Sequence, residues 1–411
     1  MKKLKKQNGI TLVALVITII ILLILAGISI SALTNQGLFA QANRAKDLTA
    51  QKSAEENEML ANYLAQMNAY SKKTEEEKFK NVDTTETNPE GAMPKDSVVI
   101  EGDAKKGIVI KDSNDNEWTW VEVPMSVTTG KTSDSEIEDA LKTYATEYRE
   151  GATGQGRYWT DEWYDGCGMS KNEYNTAKSK MLQSIKINGG FWISRYEIGD
   201  STATANNATR KSDSGTSGVA VSKPNQIPYN YVTCEQAQTL AKGMSADSSK
   251  TSSLLFGIQW DLTCKFLETK TNHITDDIKT NSTSWGNYKN NSLTLYRGKY
   301  NINPWKASSI WQPFDEETEN YVTNKQTSNN ANYMQLLTTG ASEGTNKMNI
   351  YDFAGNEWEW TLEHATSDTR YPCARRGGSF KHTSSDTPVA YRDDNSTSSS
   401  NDDVGFRSTL Y

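Results

Sequence analysis

Within the eight residues of Asp352-x-x-Gly355-x-Glu357-x-Glu359, the sequence offers two side-chain carboxylates and two main-chain carbonyls. Oxygen donors of this kind suit a hard cation such as Ca2+, and such an ion would hold a loop rather than make or break bonds. The competing reading is that Trp358 and Trp360 pack while the carboxylates cap or form salt bridges. A second stretch, Lys381 to Asp403, is dominated by Ser, Thr, Asn and Asp. It reads either as exposed turn formers or as a recognition surface in which Tyr, Asn and Ser make adaptable contacts. Sulfur and imidazole chemistry has less to work with. Cys167, Cys234, Cys264 and Cys373 lie far apart with no C-x-x-C pair, which excludes a zinc ribbon and a dense disulfide scaffold. One or two isolated disulfides are compatible with that spacing. His273, His364 and His382 are the only imidazoles, too few for a mechanism built on several.

The 411 residues carry a formal net charge of −7 and are 36% hydrophobic. Phosphate backbones are bound by Lys and Arg that displace counterions, and no basic stripe runs through the body of the chain, so nucleic acid is not an expected partner. The sequence lacks a G-x-x-x-x-G-K-S/T loop and a G-x-G-x-x-G after a strand, and its one G-x-S-x-G match, Gly340 to Gly344, is followed by the polar run Thr345-Asn346-Lys347 rather than by the helix a nucleophile elbow needs. Nucleotide and hydrolase readings therefore have no support.

The elements that must position these residues fall into five segments. Residues 1–9 carry Lys2, Lys3, Lys5 and Lys6, and the run Ile10 to Leu33 is uncharged, long enough to cross a bilayer once as a helix with the Lys cluster on the cytoplasmic side. Residues 34–70 read as an amphipathic helix, with Leu60, Leu64 and Met67 on one face. Residues 71–97 read as a solvated linker. From Val98 the pattern changes to short strands between polar turns, including the alternating run Trp118 to Val123, with helices expected over 135–148 and, behind a Thr233 cap, 234–243. Residues 98–411, rich in the chain's 11 Trp, are expected to form a loop-rich α+β domain with an aromatic core.

Three resemblances sharpen this. The junction Lys5-Lys6-Gln7-Asn8-Gly9-Ile10-Thr11-Leu12 resembles the leader of type IV prepilins and pseudopilins, which implies cleavage between Gly9 and Ile10 by a prepilin peptidase and association with pilus or secretion-filament subunits. Ala14 stands where that family has Glu, which argues against a major filament role and for a minor or membrane-held subunit. Further on, the ordered elements Gly190-Phe191-Trp192, Gln259-Trp260-Asp261, Trp285-Gly286-Asn287, Gly355-Asn356-Glu357-Trp358-Glu359-Trp360, Arg376-Gly377-Gly378-Ser379 and Gly405-Phe406-Arg407 resemble the formylglycine-generating enzyme family, or sulfatase-modifying factor domains. The fold implied is a variant of the C-type lectin fold, with Asp352 and Glu359 giving side chains and Gly355 and Glu357 main-chain oxygens to a calcium ion.

In that family two cysteines just beyond the G-G-S element bind copper and oxidise a target Cys. Here Phe380 to Thr387 contains no Cys, so no copper and no catalysis are expected. The Ser/Thr/Asn/Asp-rich stretch also resembles the last segment of C-type lectin-like proteins diversified by retroelements. That resemblance implies that His382, Thr383, Ser385, Tyr391, Asp393, Asp394, Asn395, Thr397 and Asn401 present a variable surface to an extracellular ligand. Arg376, Arg392 and Arg407 are expected to be structural, as guanidinium forks pinning loops. The resulting expectation is a single-pass, cell-surface binding protein with its C-terminal domain outside. The alternatives are an oxidase of the formylglycine-generating type and a minor pilin whose head is decoration.

Overall fold

A computed structural model of the chain describes residues 12–35, 46, 49–54, 57, 61, 78–83, 86–149, 158–203, 214–271, 275–302, 304, 310–313 and 334–411. The chain divides into two compact units, Met1–Lys72 and Lys73–Tyr411. In the first, Leu12–Asn35 is a helix of 24 residues, as expected of an uncharged run of Leu, Ile, Val and Ala. Its side chains are described over 15–26, where all are exposed. Among the described residues no helix is long and apolar enough to cross a membrane. The expected cleavage point Gly9–Ile10 and the expected face of Leu60, Leu64 and Met67 lie outside the described residues.

In the second unit two sheets carry the architecture. One is six-stranded, in the order Val98–Glu101, Val109–Lys111, Glu117–Glu122, Gly190–Ser194, Ser408–Leu410, Ser252–Leu254, with every neighbouring pair antiparallel. The other runs Arg392–Asn395, Cys373–Arg376, Trp358–Ala365, Val404–Phe406, with Trp159–Thr160 paired to the far end of Trp358–Ala365. Trp358–Ala365 is antiparallel to Cys373–Arg376 and parallel to Val404–Phe406. Both sheets are joined by the C-terminal strands, which are separated only by Arg407. The aromatic core is confirmed in kind: Trp118, Trp120, Trp192, Trp260, Trp285, Trp358 and Trp360 are all fully buried.

Three boundaries differ from expectation. The segment expected to be linker over 71–97 belongs from Lys73 to the second unit, and Ala104 N–H already donates to the Lys80 carbonyl at 3.1 Å. Thr87 Oγ1 donates to the carbonyls of Asn188 and Gly189 at 3.2 and 3.1 Å and accepts from Trp120 Nε1 at 2.9 Å, and Asn88 caps a short helix, Pro89–Ala92, whose Pro89 and Ala92 are buried. Pro89 and Gly91 lie in the single turn of that helix, behind the Asn88 cap, where a Pro at the first position is well placed. The helix expected over 135–148 breaks at Ala145 into Asp134–Tyr144 and Thr146–Arg149. An 18-residue helix, Lys171–Asn188, was not anticipated, although Ser170 and Glu173 form a capping box and Tyr174, Ala177, Met181, Leu182 and Ile185 make one buried stripe. The helix Cys234–Lys242 stands where expected, with Thr233 and Gln236 in a capping box.

Candidate functional site

Strand alternation sorts the site into two sides. Along Trp358–Ala365, Glu359, Thr361 and Glu363 point to one side of the sheet, Trp358 and Trp360 to the other. Behind the sheet, on the carboxylate side, lies a buried charge network. Arg376 and Arg392 are register partners on adjacent strands, an arrangement that like charges make unfavourable on their own. Asp261 and Glu363 bridge them. Arg376 donates to Glu363 at 3.0 Å and Asp261 at 2.9 Å, and Arg392 donates to Glu363 at 3.0 Å and to both Asp261 oxygens at 2.7 Å. Arg149 closes the group on Glu363 at 2.8 Å, Asp261 at 3.2 Å and Asp161 at 2.8 Å. Three guanidinium groups thus meet three carboxylates, and Asp161 also accepts the Gly257 and Ile258 N–H groups at the start of helix Gly257–Thr271. Burial works to raise the Glu363 carboxyl, but Arg392, Arg376 and Arg149 outweigh it and hold it down at about 2.

Arg407 does similar work between the sheets. It is fully buried, donates to the carbonyls of Ser194 and Tyr351 at 2.7 Å each, and grips both oxygens of Glu359 at 3.0–3.2 Å. Asp352 is equally committed, accepting from the Gly340 N–H at 2.6 Å and from Thr345 Oγ1 at 2.8 Å. The expected calcium ligands are therefore not assembled as a cation site: Arg407 occupies Glu359, and protein donors occupy Asp352. Among the described residues no group of three or more His, Cys, Asp or Glu gathers as a metal site. Gly355 (φ +73°) passes against the Asn287 backbone so closely that a Cβ would stand 2.6 Å from its carbonyl oxygen. This places Asn356 as a hub, accepting from Leu337 N–H at 3.0 Å and Asn287 Nδ2 at 2.7 Å and donating to Glu197. Burial, then Asp352, Glu357 and Glu359, push the Glu197 carboxyl well above its usual range.

On the opposite side, Trp358 forms the floor of a small half-exposed face. The Arg375 guanidinium lies 4.9 Å from its ring centre, the His382 ring meets it at 5.5 Å and 70°, and Tyr391 stands 6.1 Å away. Asp393 accepts two bonds from Arg375 at 2.9 and 2.6 Å. Ser379 Oγ bonds His382 Nδ1 at 2.8 Å and donates to Asp403 at 3.1 Å. Burial lowers the His382 imidazole, against the opposing pull of Asp403. Thr383 and Ser385 sit in the turn that follows, where their hydroxyls are 3.3 Å apart.

The expected variable set is thus divided. His382, Tyr391 and Asp393 share the Trp358 floor. Asp394 alternates to the other side of its strand and accepts from Ser367 at 3.2 Å, while burial and then Asp393 raise its carboxyl. Asn395 is the register partner of Cys373, Thr397 packs on Gly166, and Asn401 anchors the backbone by accepting the Tyr231 N–H at 3.0 Å. Sequence reasoning missed Arg375. The alternation of an inward Arg376 beside an outward Arg375 was the available signal.

The backbone of this face is fixed from beneath. Trp260 Nε1 donates to the Val389 carbonyl at 3.0 Å, Ser282 Oγ accepts the Val389 N–H at 3.0 Å, and Arg376 reaches the Ala390 carbonyl at 3.3 Å. Gly378 (φ +77°) leaves no room for a side chain, since a Cβ would stand 2.4 Å from the Thr387 carbonyl oxygen. Beyond it the chain offers Ser379 and His382, already bonded to each other, and no thiol through Thr387. These residues do not fit the paired-thiolate copper site that the resemblance implies.

The fold and this site define a mixed α/β domain in which ion pairs hold long loops against a tryptophan core. The Sulfatase-modifying factor enzyme 1-like domain family matches residues 167–410, more than half of the chain, and the chain belongs to that family. No curated protein matches it. Among solved structures, CarF is similar at 13% identity and TM-score 0.28, over 54% of this chain and 85% of that one. Treponema denticola variable protein 1 is similar at 15% identity and TM-score 0.29, over 54% and 84%.

Proposed function

We propose that this chain is a membrane-held, extracellular ligand-binding protein whose sulfatase-modifying-factor-type head does not catalyse a reaction. The observation that carries this reading is the separation of frame from face. Buried ion pairs and indole–carbonyl bonds fix the backbone of residues 376–392, while the side chains of Arg375, His382, Tyr391 and Asp393 project beside Trp358, outside the buried Arg149–Arg376–Arg392 network. Side chains on such a frame can change identity at little cost to folding, which is what a recognition surface needs. The absence of a thiol from Phe380 to Thr387 supports binding over oxidation.

The anchor in this reading is the uncharged run Ile10 to Leu33, cut after Gly9 by a prepilin peptidase, with the protein placed in the membrane or as a minor pilus component. The Ser, Thr, Asn, Asp, Tyr and His content of residues 381–403 fits diversification at Asn-like codons. A near-copy of the DNA for Arg376 to Arg407, differing opposite template adenines and lying beside a reverse transcriptase gene, is the expected genomic trace.

The test is to probe arrays of glycans and extracellular proteins with the full chain and with a triple variant, R375A/H382A/Y391A. The expected result is at least one signal, lost in the variant, with the melting temperature kept within a few degrees. Equal signals from both proteins refute the assignment of the face. Conversion of the Cys of a sulfatase peptide to an aldehyde in the presence of copper refutes the non-catalytic reading.

A further inference from the structure

Ser379 has one hydroxyl hydrogen and three polar neighbours, and the chemistry of those neighbours fixes where each proton lies. Its side chain is fully buried. Oγ stands 3.1 Å from Asp403 Oδ2, 2.8 Å from His382 Nδ1 and 3.3 Å from the Lys381 N–H. Asp403 is buried, with Lys381 Nζ 3.7 Å from its other oxygen. As a carboxylate beside an ammonium it only accepts, so the single Ser379 hydrogen goes to it. The Lys381 N–H only donates, and it takes one lone pair of Oγ. His382 is left with the other lone pair, so Nδ1 carries a hydrogen and donates it. In a neutral imidazole the second nitrogen, Nε2, is then bare. Burial, Arg375 and Lys289 favour the neutral ring, and together they outweigh Asp403 and Asp393, which oppose it.

The ring is also held in place. The His382 N–H donates to the Ser379 carbonyl at 3.0 Å, and the His382 carbonyl accepts the Lys289 N–H at 3.0 Å. The buried Trp358 indole meets the imidazole at 5.5 Å and 70°, edge against face. Nδ1 is thus committed to the buried hydroxyl. Nε2, on the far edge of a half-exposed residue, has no hydrogen bond among the described residues and is not closed off from solvent.

We propose that Ser379 and Asp403 lock His382 in its Nδ1–H tautomer, so that the recognition face presents the bare Nε2 as an acceptor and the ligand group that meets it is an O–H or N–H donor. Ser379 and Asp403 are positioning residues: they act through His382 and do not touch the ligand. A carbonyl or carboxylate brought to the same point would set lone pair against lone pair, whereas a hydroxyl or amide N–H would be satisfied. The donor assignment rests on the binding reading of this face; the lock on the tautomer does not.

The test is long-range 1H–15N correlation of the three histidine rings in the full chain at about pH 8, above the usual imidazole range, with His382 assigned by the signals lost in His382→Gln. The expected result is a protonated Nδ1 and a bare Nε2 in the wild type, and in Ser379→Ala a shift toward the Nε2–H tautomer that free histidine prefers in water. A bare Nδ1 in the wild type, or an unchanged tautomer in Ser379→Ala, overturns the lock. If Ser379→Ala fails to fold, the wild-type spectrum alone decides. For the donor assignment, arrays of glycans and extracellular proteins are probed with His382→Gln, whose amide oxygen can stand near the Nε2 position, and with His382→Asn, whose amide reaches only the Nδ1 position. A wild-type signal should fall about tenfold in His382→Asn and less than about threefold in His382→Gln. Equal losses overturn the donor assignment. Arrays silent with the wild type refute the binding reading and the donor assignment with it, while the spectrum still decides the lock.

Discussion

Glu363→Gln is the most searching perturbation of the frame. Glu363 accepts from Arg149, Arg376 and Arg392, and with Asp161 and Asp261 it balances those three guanidinium groups. Glutamine keeps the volume but removes one negative charge and turns an NH2 toward N–H donors. The network is left with an excess buried positive charge and donors without acceptors. Removing one partner of a buried pair costs roughly 3–5 kcal/mol, a large part of the about 5–15 kcal/mol that keeps a domain folded. The assay is urea unfolding followed by Trp fluorescence, together with amide hydrogen exchange. Exchange should rise first in residues 376–395, because Arg376 and Arg392 hold that hairpin. Adding Arg149→Met, at the least buried of the three arginines (side chain 10% exposed), restores charge balance. The double variant should recover more than about 1 kcal/mol relative to the sum of the single changes. A loss below about 1 kcal/mol for Glu363→Gln, or strict additivity, would refute the argument that these charges act as one unit.

Three further outcomes follow from the same geometry. Glu363 is held at about 2, below its value of 4.5 in the unfolded chain, so the stability it contributes is present above pH 4.5 and is lost as pH falls toward 2; the loss is on the order of 3 kcal/mol, and Glu363→Gln should flatten that limb of an acid titration. Because Arg407 occupies Glu359 while Gly340 and Thr345 occupy Asp352, calcium and chelator titrations should leave the melting temperature unchanged, and a calcium-dependent rise would reinstate the cation site. Alanine at Thr383, Ser385 or Tyr391 should shift stability by no more than about 0.5 kcal/mol, as surface changes do, whereas Arg392→Ala should cost several-fold more in the same unfolding assay.

Much of the frame was legible residue by residue. The alternating run Trp118 to Val123 announced the strand Glu117–Glu122, the Thr233 cap announced helix Cys234–Lys242, and the missing Cys after Gly378 already spoke against copper. The box at Ser170 and Glu173 was equally legible and should have announced helix Lys171–Asn188. The partners of the expected calcium ligands were not legible, because Glu359 meets Arg407, 48 positions away, and Asp352 meets Gly340 only through the turn that brings them together. Segment 86–97 was misjudged because Pro, Gly and Asn read alike as a linker and as a helix cap, and contacts with Asn188 and Trp120 decide between them.

By itself the sequence determined the features with a local cause: the uncharged run Ile10 to Leu33, strand alternation, helix caps, and a stretch beyond Gly378 without sulfur. Those follow from side-chain period and from residue types in one window. Tertiary structure alone decided which carboxylate answers which arginine, and that Asp393 and Asp394 face opposite ways from one strand. Charge pairing acts through space over a few ångströms, and the spacing of these residues along the chain says nothing about such distances until the sheets bring them side by side.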